Sequence, residues 1–337
     1  MSAPRTVYVT ANGAVVRRSG ERLHVFAKKD RIADLPIADV SDLVLMGNVT
    51  LTPSALGTLV DRGIDTVLLT HAGRYRGRIV GGASSNVRLR LRQYELHRDA
   101  DATLALAKRL VAGKAHNQRA MLMRHARRHG LGDELRDAVR ALRAAALRVE
   151  LATTLDEARG CEGAAAAAYF RVFGRLLRNP DFTFTGRNRR PPIDPVNALL
   201  SLGYTLLFGV VEGAIRTVGL DPWLGSLHAP LAGRPSLACD LVEELRAPIV
   251  DALVVSAINH RAFAQDDFED AGPGEPVILR RETVRWLVTL FERRMVRRTA
   301  YEPFGVELTW RQILEHQARA YARHVLGEGP YEPYRMR

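Results

Sequence analysis

The first 85 residues contain short runs of β-branched and aromatic residues, and each run ends at a turn signal. The runs in residues 5–27 are separated by Asn12-Gly13 and Ser19-Gly20, pairs that are typical of tight β-hairpins. Apolar runs at 40–46 and 64–69 each have the length of one strand. Between them, Thr52 followed by a proline predicts a short helix over 53–62, because proline is favoured in a first helical turn. The pattern predicts a β-rich N-terminal domain.

From about residue 87 onward, the apolar positions recur with helical spacing, with Ala and Leu at i, i+3 and i+4. Stretches rich in Pro, Gly and Asp interrupt this pattern at 187–195, 221–235 and 266–276. We therefore predict an α+β protein with a small N-terminal β-rich domain (1–85), a linker (86–95) and a larger all-α C-terminal domain (96–337). The later predicted helices span residues 154–177, 196–218, 236–258, 283–298 and 309–325.

Composition narrows the class of protein. The chain has 337 residues, 47% of them hydrophobic and 26% charged, which is globular composition. Its two cysteines, Cys161 and Cys239, support neither a disulfide framework nor a cysteine-based zinc site. The first twenty residues contain no signal-peptide apolar run. The uncharged stretch 195–211 is too short and too polar for a membrane span and predicts a buried helix. We expect a cytoplasmic protein with no membrane segment.

The positive charge of the chain is concentrated in one segment. The net charge is +12, from 49 Lys+Arg and 37 Asp+Glu. Residues 86–150 carry 15 basic and 7 acidic side chains, which is +8 of that excess. Nearly all the basic residues are arginines, whose planar fork suits bidentate phosphate contacts. A solvated helix face in an Arg-rich proteome is the alternative, but the localisation of the charge favours a nucleic-acid partner.

Acidic and imidazole side chains that suit a divalent cation occur at three places. Glu162 lies at the head of an Ala-rich helical segment, His228 lies in a loop bounded by Gly and Pro, and Asp240, Glu243 and Glu244 follow on the next predicted helix. Each has an ordinary interpretation as a solvated carboxylate, a surface histidine or an acidic helix face. Together, carboxylates and one imidazole suit Mg²⁺ or Mn²⁺ with open water positions better than a closed zinc site.

Four long stretches resemble one known family. They are VLMGNVTLTPSALGTLVDRGIDTVLLTHAGRYRGRIVGG, GCEGAAAAAYF, RNRRPPIDPVNALLSLGYTLL and GSLHAPLAGRPSLACDLVEELRAPIVD. In this order, they resemble the CRISPR-associated adaptation endonuclease/integrase family ("Cas one") over nearly the whole chain. The resemblance implies a dimerising N-terminal β domain, a catalytic α-helical C-terminal domain and a homodimer. It also implies a small second CRISPR-associated protein as partner, with two homodimers flanking one partner dimer.

The resemblance also implies the ligands of the metal. Position by position, they fall on Glu162, His228 and Glu243, and these three are the predicted catalytic and metal-binding residues. Asp240 falls on a nearby acidic position that supports or shares the site. Glu244 is adjacent to Glu243 and leaves an ambiguity of one residue.

The predicted function is a metal-dependent DNA endonuclease and integrase. It would insert short foreign DNA fragments into the CRISPR array by attack of a 3′ hydroxyl on a phosphodiester, with Mg²⁺ or Mn²⁺ as cofactor. The alternatives are a non-catalytic DNA-binding scaffold and a transposon-borne integrase with the same core. Candidate phosphate contacts, which are otherwise surface charge, are Arg88, Arg90, Arg92, Arg187, Arg189 and Arg190.

Overall fold

The computed structural model describes residues 5–71, 73, 75–81, 86–130, 132–188, 191–269, 272, 275–301 and 305–337. The chain divides into two compact units. The first comprises Met1–Ala83 with Leu279–Arg285, and the second comprises Ser84–Ile278 with Trp286–Arg337. The N-terminal part is β-rich and the C-terminal part is mainly helical, so the α+β class is confirmed.

In its described residues from 5 to 81, the first unit forms two four-stranded sheets and one α-helix. One sheet has the order β1-β5-β7-β8, in which β1, β5 and β7 run parallel and β8 is antiparallel to β7. The other has the order β4-β3-β2-β6. The elements are β1 (Arg5–Val9), β2 (Val15–Ser19), β3 (Arg22–Ala27), β4 (Asp30–Pro36), β5 (Val40–Met46), β6 (Thr50–Leu51), α1 (Pro53–Asp61), β7 (Asp65–Leu69) and β8 (Tyr75–Ile79).

The core of this unit is formed by the inward-facing, alternating residues of the strands and by one capped helix. Val16, Leu23 and Leu43 are each at most 1% exposed and pack with Leu59 of α1 in one hydrophobic cluster. The predicted helix begins as expected, with the Thr52 hydroxyl accepting the N–H of Ala55 and proline in the first turn.

The second unit is built mainly from helices, with short strands between some of them. The helices are α2 (Val87–Arg98), α3 (Ala100–His129), α4 (Asp133–Arg148), α5 (Leu155–Phe173), α6 (Pro195–Val218), α7 (Ser236–Leu245), α8 (Ala252–Asn259), α9 (Arg281–Val296) and α10 (Trp310–Val325), of which α9 begins in the first unit. The strands are β9 (Phe268–Glu269), β10 (Ile278–Leu279), β11 (Arg298–Tyr301) and β12 (Val306–Thr309), of which β10 ends in the first unit. The prediction of an all-α domain was therefore wrong in detail, because β11 and β12 form an antiparallel pair that leads into α10.

The predicted linker is a helix instead. Residues 87–95 belong to α2, whose first turn is capped by the side chain of Asn86. Leu89 and Gln93 are both 1% exposed, and the Gln93 amide donates to the carbonyl of Asp221 at 2.9 Å. A segment with a buried face and a long-range hydrogen bond is part of the fold, which the polar composition of this stretch does not reveal.

The helix predicted over 236–258 is interrupted. Between α7 and α8 lies a π-helical turn, Arg246–Asp251. Pro248 lies within it, and proline has no N–H to continue the ordinary helical hydrogen-bond ladder. The π-helical turn directly follows α7, the helix that carries the predicted acidic ligands.

The apolar helix α6 is mostly buried. Within the ranges that the structure describes, it is the one helix long and apolar enough to cross a membrane, and 67% of its apolar window lies inside the fold. This degree of burial is typical of a core helix, so α6 gives no evidence of a membrane span.

Candidate metal-binding site

Three helices bring charged side chains to one point. Lys114 of α3 lies between Glu162 of α5 and Glu243 of α7. Its ammonium contacts Oε1 of Glu162, and it lies 2.5 Å from Oε2 of Glu243. The side chains of Lys114 and Glu243 are 4% and 5% exposed, whereas Glu162 is 27% exposed. Two of the three predicted ligands therefore share one cation contact, and Glu162 forms the more open side.

The cap of α5 and its small buried residues determine where Glu162 lies. The Thr154 hydroxyl accepts the N–H of Glu157 and fixes the start of the helix. Ala165 and Ala168 are at most 7% exposed, and their methyl side chains allow neighbouring helices to approach closely. Glu162 lies between Ala158 and Ala165 on this face, and both alanines are at most 1% exposed.

His228, the third predicted ligand, is held by Asp240. One oxygen of the Asp240 carboxylate accepts the backbone N–H groups of Ser226 (2.5 Å) and Leu227 (3.0 Å). The other accepts the backbone N–H of His228 (2.9 Å) and lies 2.7 Å from its Nδ1. Asp240 is completely buried. A carboxylate on Nδ1 leaves Nε2 as the imidazole nitrogen that is available to a ligand.

Glu243 is held in its ionised form. Burial raises the pKa of its carboxyl group, but the charges of Arg246 and Lys114 outweigh that effect and lower the pKa to about 2. His228 contributes to the same lowering. Arg246 lies 3.1 Å from Oε1 of Glu243, while its guanidinium also stacks over the ring of Tyr204, 4.9 Å from the centroid. Glu243 thus presents a fixed negative charge beside Glu162 and His228.

The neighbouring Glu244 is engaged elsewhere. Its Oε1 accepts the hydroxyl of Tyr331 at 2.9 Å, and its side chain is completely buried. Burial raises the pKa of its carboxyl group to about 8, although the hydrogen bonds from Tyr331 and from the backbone of Tyr334 lower it. Of the two adjacent glutamates, Glu243 is the one that shares a contact with Glu162.

Chemically, these residues fit a hard divalent cation. Within the described ranges, no group of three His, Cys, Asp or Glu side chains is arranged ready to hold a metal ion. The ammonium of Lys114 nevertheless occupies a cation position between two carboxylates. Carboxylate oxygens with one imidazole are a donor set that Mg²⁺ and Mn²⁺ accept.

The predicted phosphate contacts lie in different surroundings. Arg88 and Arg92 are exposed on α2, with Arg92 paired to Glu95 at 2.7 Å, and Arg90 is half-buried. Arg187 faces inward, where its guanidinium donates to Asn197 Oδ1 (2.6 Å) and Ser201 Oγ (3.1 Å). Arg189 and Arg190 lie outside the described residues. Arg187 therefore has an internal structural role that its place in a basic motif did not indicate.

Sequence reasoning missed Lys114 and Arg246. Lys114 is one of only four lysines in the chain and falls on the apolar stripe of α3, beside Val111 and Ala115, which are at most 1% exposed. A lysine on such a stripe needs a buried anionic partner. A lysine on an apolar helix stripe is therefore the sequence signal that could have identified Lys114.

The comparison with known proteins identifies the family. Residues 7–293 match the family model of CRISPR associated protein Cas1. A "CRISPR-associated endonuclease Cas1 2" from Rhodospirillum rubrum is 38% identical over 340 residues, which cover 98% of this chain and 97% of the relative. The chain belongs to the Cas1 family.

Solved structures share the fold of this Cas1-family chain. A casposase bound to integration product superimposes with a TM-score of 0.84 at 24% identity, covering 98% of this chain and 92% of the other. A chain of a Cas6-RT-Cas1–Cas2 complex superimposes with a TM-score of 0.83 at 24% identity, covering 100% of this chain and 37% of the other. The family and the fold agree with the resemblance in the four sequence stretches.

Proposed function

We propose that this Cas1-family enzyme is a metal-dependent DNA endonuclease and integrase of CRISPR adaptation. It joins the 3′ ends of short foreign DNA fragments to the CRISPR array by transesterification. The observation that carries the proposal is the shared cation contact of Glu162 and Glu243. Two carboxylates that face one cation, with an imidazole nearby, form the arrangement that a divalent ion requires.

The residues that would hold Mg²⁺ or Mn²⁺ are Glu162, His228 and Glu243. When bound, the ion would lower the pKa of a water or 3′ hydroxyl nucleophile and offset charge on the leaving oxygen. Asp240 acts through His228, because its contact with Nδ1 fixes the orientation of the ring. Arg246 acts through Glu243, because it holds Oε1 and leaves Oε2 directed at the cation position.

DNA would approach the site from the side of Glu162, the more exposed of the two carboxylates. Arg88 and Arg92 are exposed cations on α2 that suit phosphate contacts, which position DNA without reading its sequence. The protein would act as a homodimer in the cytoplasm, with a dimer of the small second CRISPR-associated protein as its partner. The presence of a Cas1–Cas2 complex among proteins of the same fold supports this partner.

The decisive experiment is an integration assay. It uses the purified protein with and without the small partner, a labelled fragment with free 3′ hydroxyls, and a supercoiled plasmid that carries the repeat. With Mn²⁺ or Mg²⁺, we expect labelled plasmid from the wild type and none from Glu162→Ala, His228→Ala or Glu243→Ala. Glu134→Ala is the matched control, because this glutamate is 61% exposed and its partner is Arg175.

The outcomes separate the candidate functions. Full joining by His228→Ala would overturn the assignment of the site. Binding of the fragment without cleavage or joining by the wild type would favour the non-catalytic scaffold. Joining that is independent both of the partner and of the repeat would favour a transposon-type integrase.

A further inference from the structure

The ammonium of Lys114 is placed where the proposed function puts a metal ion. It contacts Glu162 Oε1 and lies 2.5 Å from Glu243 Oε2, and in the described part of the chain these are the carboxylates that pair with it. Lys114 lies in the middle of the 30-residue helix α3 and is 4% exposed. A lysine is rarely buried to this degree unless its charge is compensated.

The two carboxylates that meet at this point already have two cationic partners. Glu162 and Glu243 bring two negative charges, and Lys114 and Arg246 bring two positive charges. The two cations have separate positions, since Arg246 contacts Oε1 of Glu243 and Lys114 contacts Oε2. If Glu162 and Glu243 held a divalent ion, that ion would compete with the Lys114 ammonium for the same two carboxylates.

The side chains of Arg246 and Lys114 also differ in conformational freedom. The guanidinium of Arg246 is fixed by its stacking over Tyr204 as well as by Glu243. The ammonium of Lys114 is a point charge on a flexible four-carbon stem, so it can leave by side-chain rotation. Its backbone stays in place, because Asn117 on the same helix donates to the carbonyl of Glu244 at 2.6 Å and joins α3 to α7.

We propose that Lys114 is an internal counter-cation that holds Glu162 and Glu243 together in the metal-free protein and is displaced when the divalent ion binds. This inference rests on the proposed metal site. The exchange makes the metal-free site stable at the expense of metal affinity, because the displaced ammonium stays nearby and repels the incoming ion. Lys114 is thereby a positioning residue that keeps the two carboxylates ready.

The test compares Mn²⁺ binding and thermal unfolding of the whole protein, without DNA. Lys114→Met removes the charge and keeps most of the stem, and Lys114→Gln is the second variant if Lys114→Met does not fold. Lys108→Met is the matched control on the same helix, because Lys108 is only half-buried and donates to a backbone carbonyl, that of Glu150, rather than to a carboxylate. Calorimetric titration with Mn²⁺ gives the Kd, and the midpoint of unfolding with and without Mn²⁺ gives the coupling to stability.

We expect the Lys114 variants to bind Mn²⁺ at least about tenfold more tightly than the wild type, since a unit charge near the ion is removed. The metal-free variants should unfold at a lower temperature than the wild type, and Mn²⁺ should raise their midpoint more. Lys108→Met should match the wild type in both measurements. Equal or weaker Mn²⁺ binding by both Lys114 variants would overturn the displacement.

The experiment distinguishes this inference from the proposed function. If the wild type and the Lys114 variants all fail to bind Mn²⁺, the metal site itself is wrong and the inference falls with it. If the wild type binds Mn²⁺ and loses it in Glu162→Ala, but the Lys114 variants bind no more tightly, the metal site stands and only the role of Lys114 is refuted.

Discussion

Asp240 is the side chain whose replacement should reveal how the His228 loop is held. The change Asp240→Asn keeps the size of the group and removes its charge. In the wild type, one oxygen accepts two backbone N–H groups, and the other accepts a backbone N–H and faces Nδ1 of His228. Asparagine has one acceptor oxygen, so its NH₂ group must face one of these two pairs of donors.

The loss in free energy of unfolding can be calculated from the hydrogen bonds that Asp240→Asn removes. Hydrogen bonds to a charged acceptor contribute about 1.5–3 kcal/mol each. Losing two of them, in a position with no solvent access, should lower the free energy of unfolding by about 3–5 kcal/mol. For a unit of this size, that corresponds to a fall in the midpoint of thermal unfolding of roughly 6–20 °C.

The assay is thermal and urea unfolding followed by circular dichroism, with Asp156→Asn as the control. Asp156 likewise pairs with a basic side chain, Arg159 at 2.7 Å, but it is 91% exposed. Its replacement should therefore change the stability by less than about 1 kcal/mol. If Asp240→Asn were also within that range, the carboxylate would not be holding the loop. The variant should in addition lose Mn²⁺ affinity, because the His228 ring is no longer oriented.

Further predictions concern Glu244 and two arginines. Burial raises the pKa of the Glu244 carboxyl group to about 8 from its ordinary 4.5. Between these two pH values the folded protein keeps the proton while the unfolded chain loses it. The free energy of unfolding should therefore fall as the pH rises from about 4.5 to 8. In urea unfolding between pH 5 and 9, Glu244→Gln should remove a fall on the order of 2–4 kcal/mol, and an unchanged slope would contradict this origin. Arg88→Ala should reduce the slope of log K against log salt for DNA binding by about 0.9 without changing the stability. Arg187→Ala should lower the free energy of unfolding by about 2–4 kcal/mol, because Asn197 and Ser201 lose a partly buried hydrogen-bond partner. A stable Arg187→Ala protein with a reduced salt slope would contradict the internal role of this arginine.

The amino-acid sequence by itself determined the class of fold and the family. β-Branched runs with Asn-Gly and Ser-Gly turns predicted the N-terminal strands, and i, i+3, i+4 spacing predicted the helices. These are local properties of the chain, since backbone hydrogen bonds and side-chain periodicity depend on neighbouring residues. The motifs around Glu162, His228 and Glu243 likewise identified the family, which the match over residues 7–293 confirms.

Only the tertiary structure decided which charges meet. Glu243 and Glu244 are adjacent in sequence, but neighbouring residues of a helix point about 100° apart, and packing assigned one to Lys114 and the other to Tyr331. The Asn86 cap of residues 87–95 is local, but the buried position of Gln93 depends on its hydrogen bond to Asp221, 128 residues away. Lys114 and Glu162 are 48 residues apart, so no local pattern joins them. The ionisation of these groups depends on burial and on the charges that surround them, and both exist only once the helices have packed.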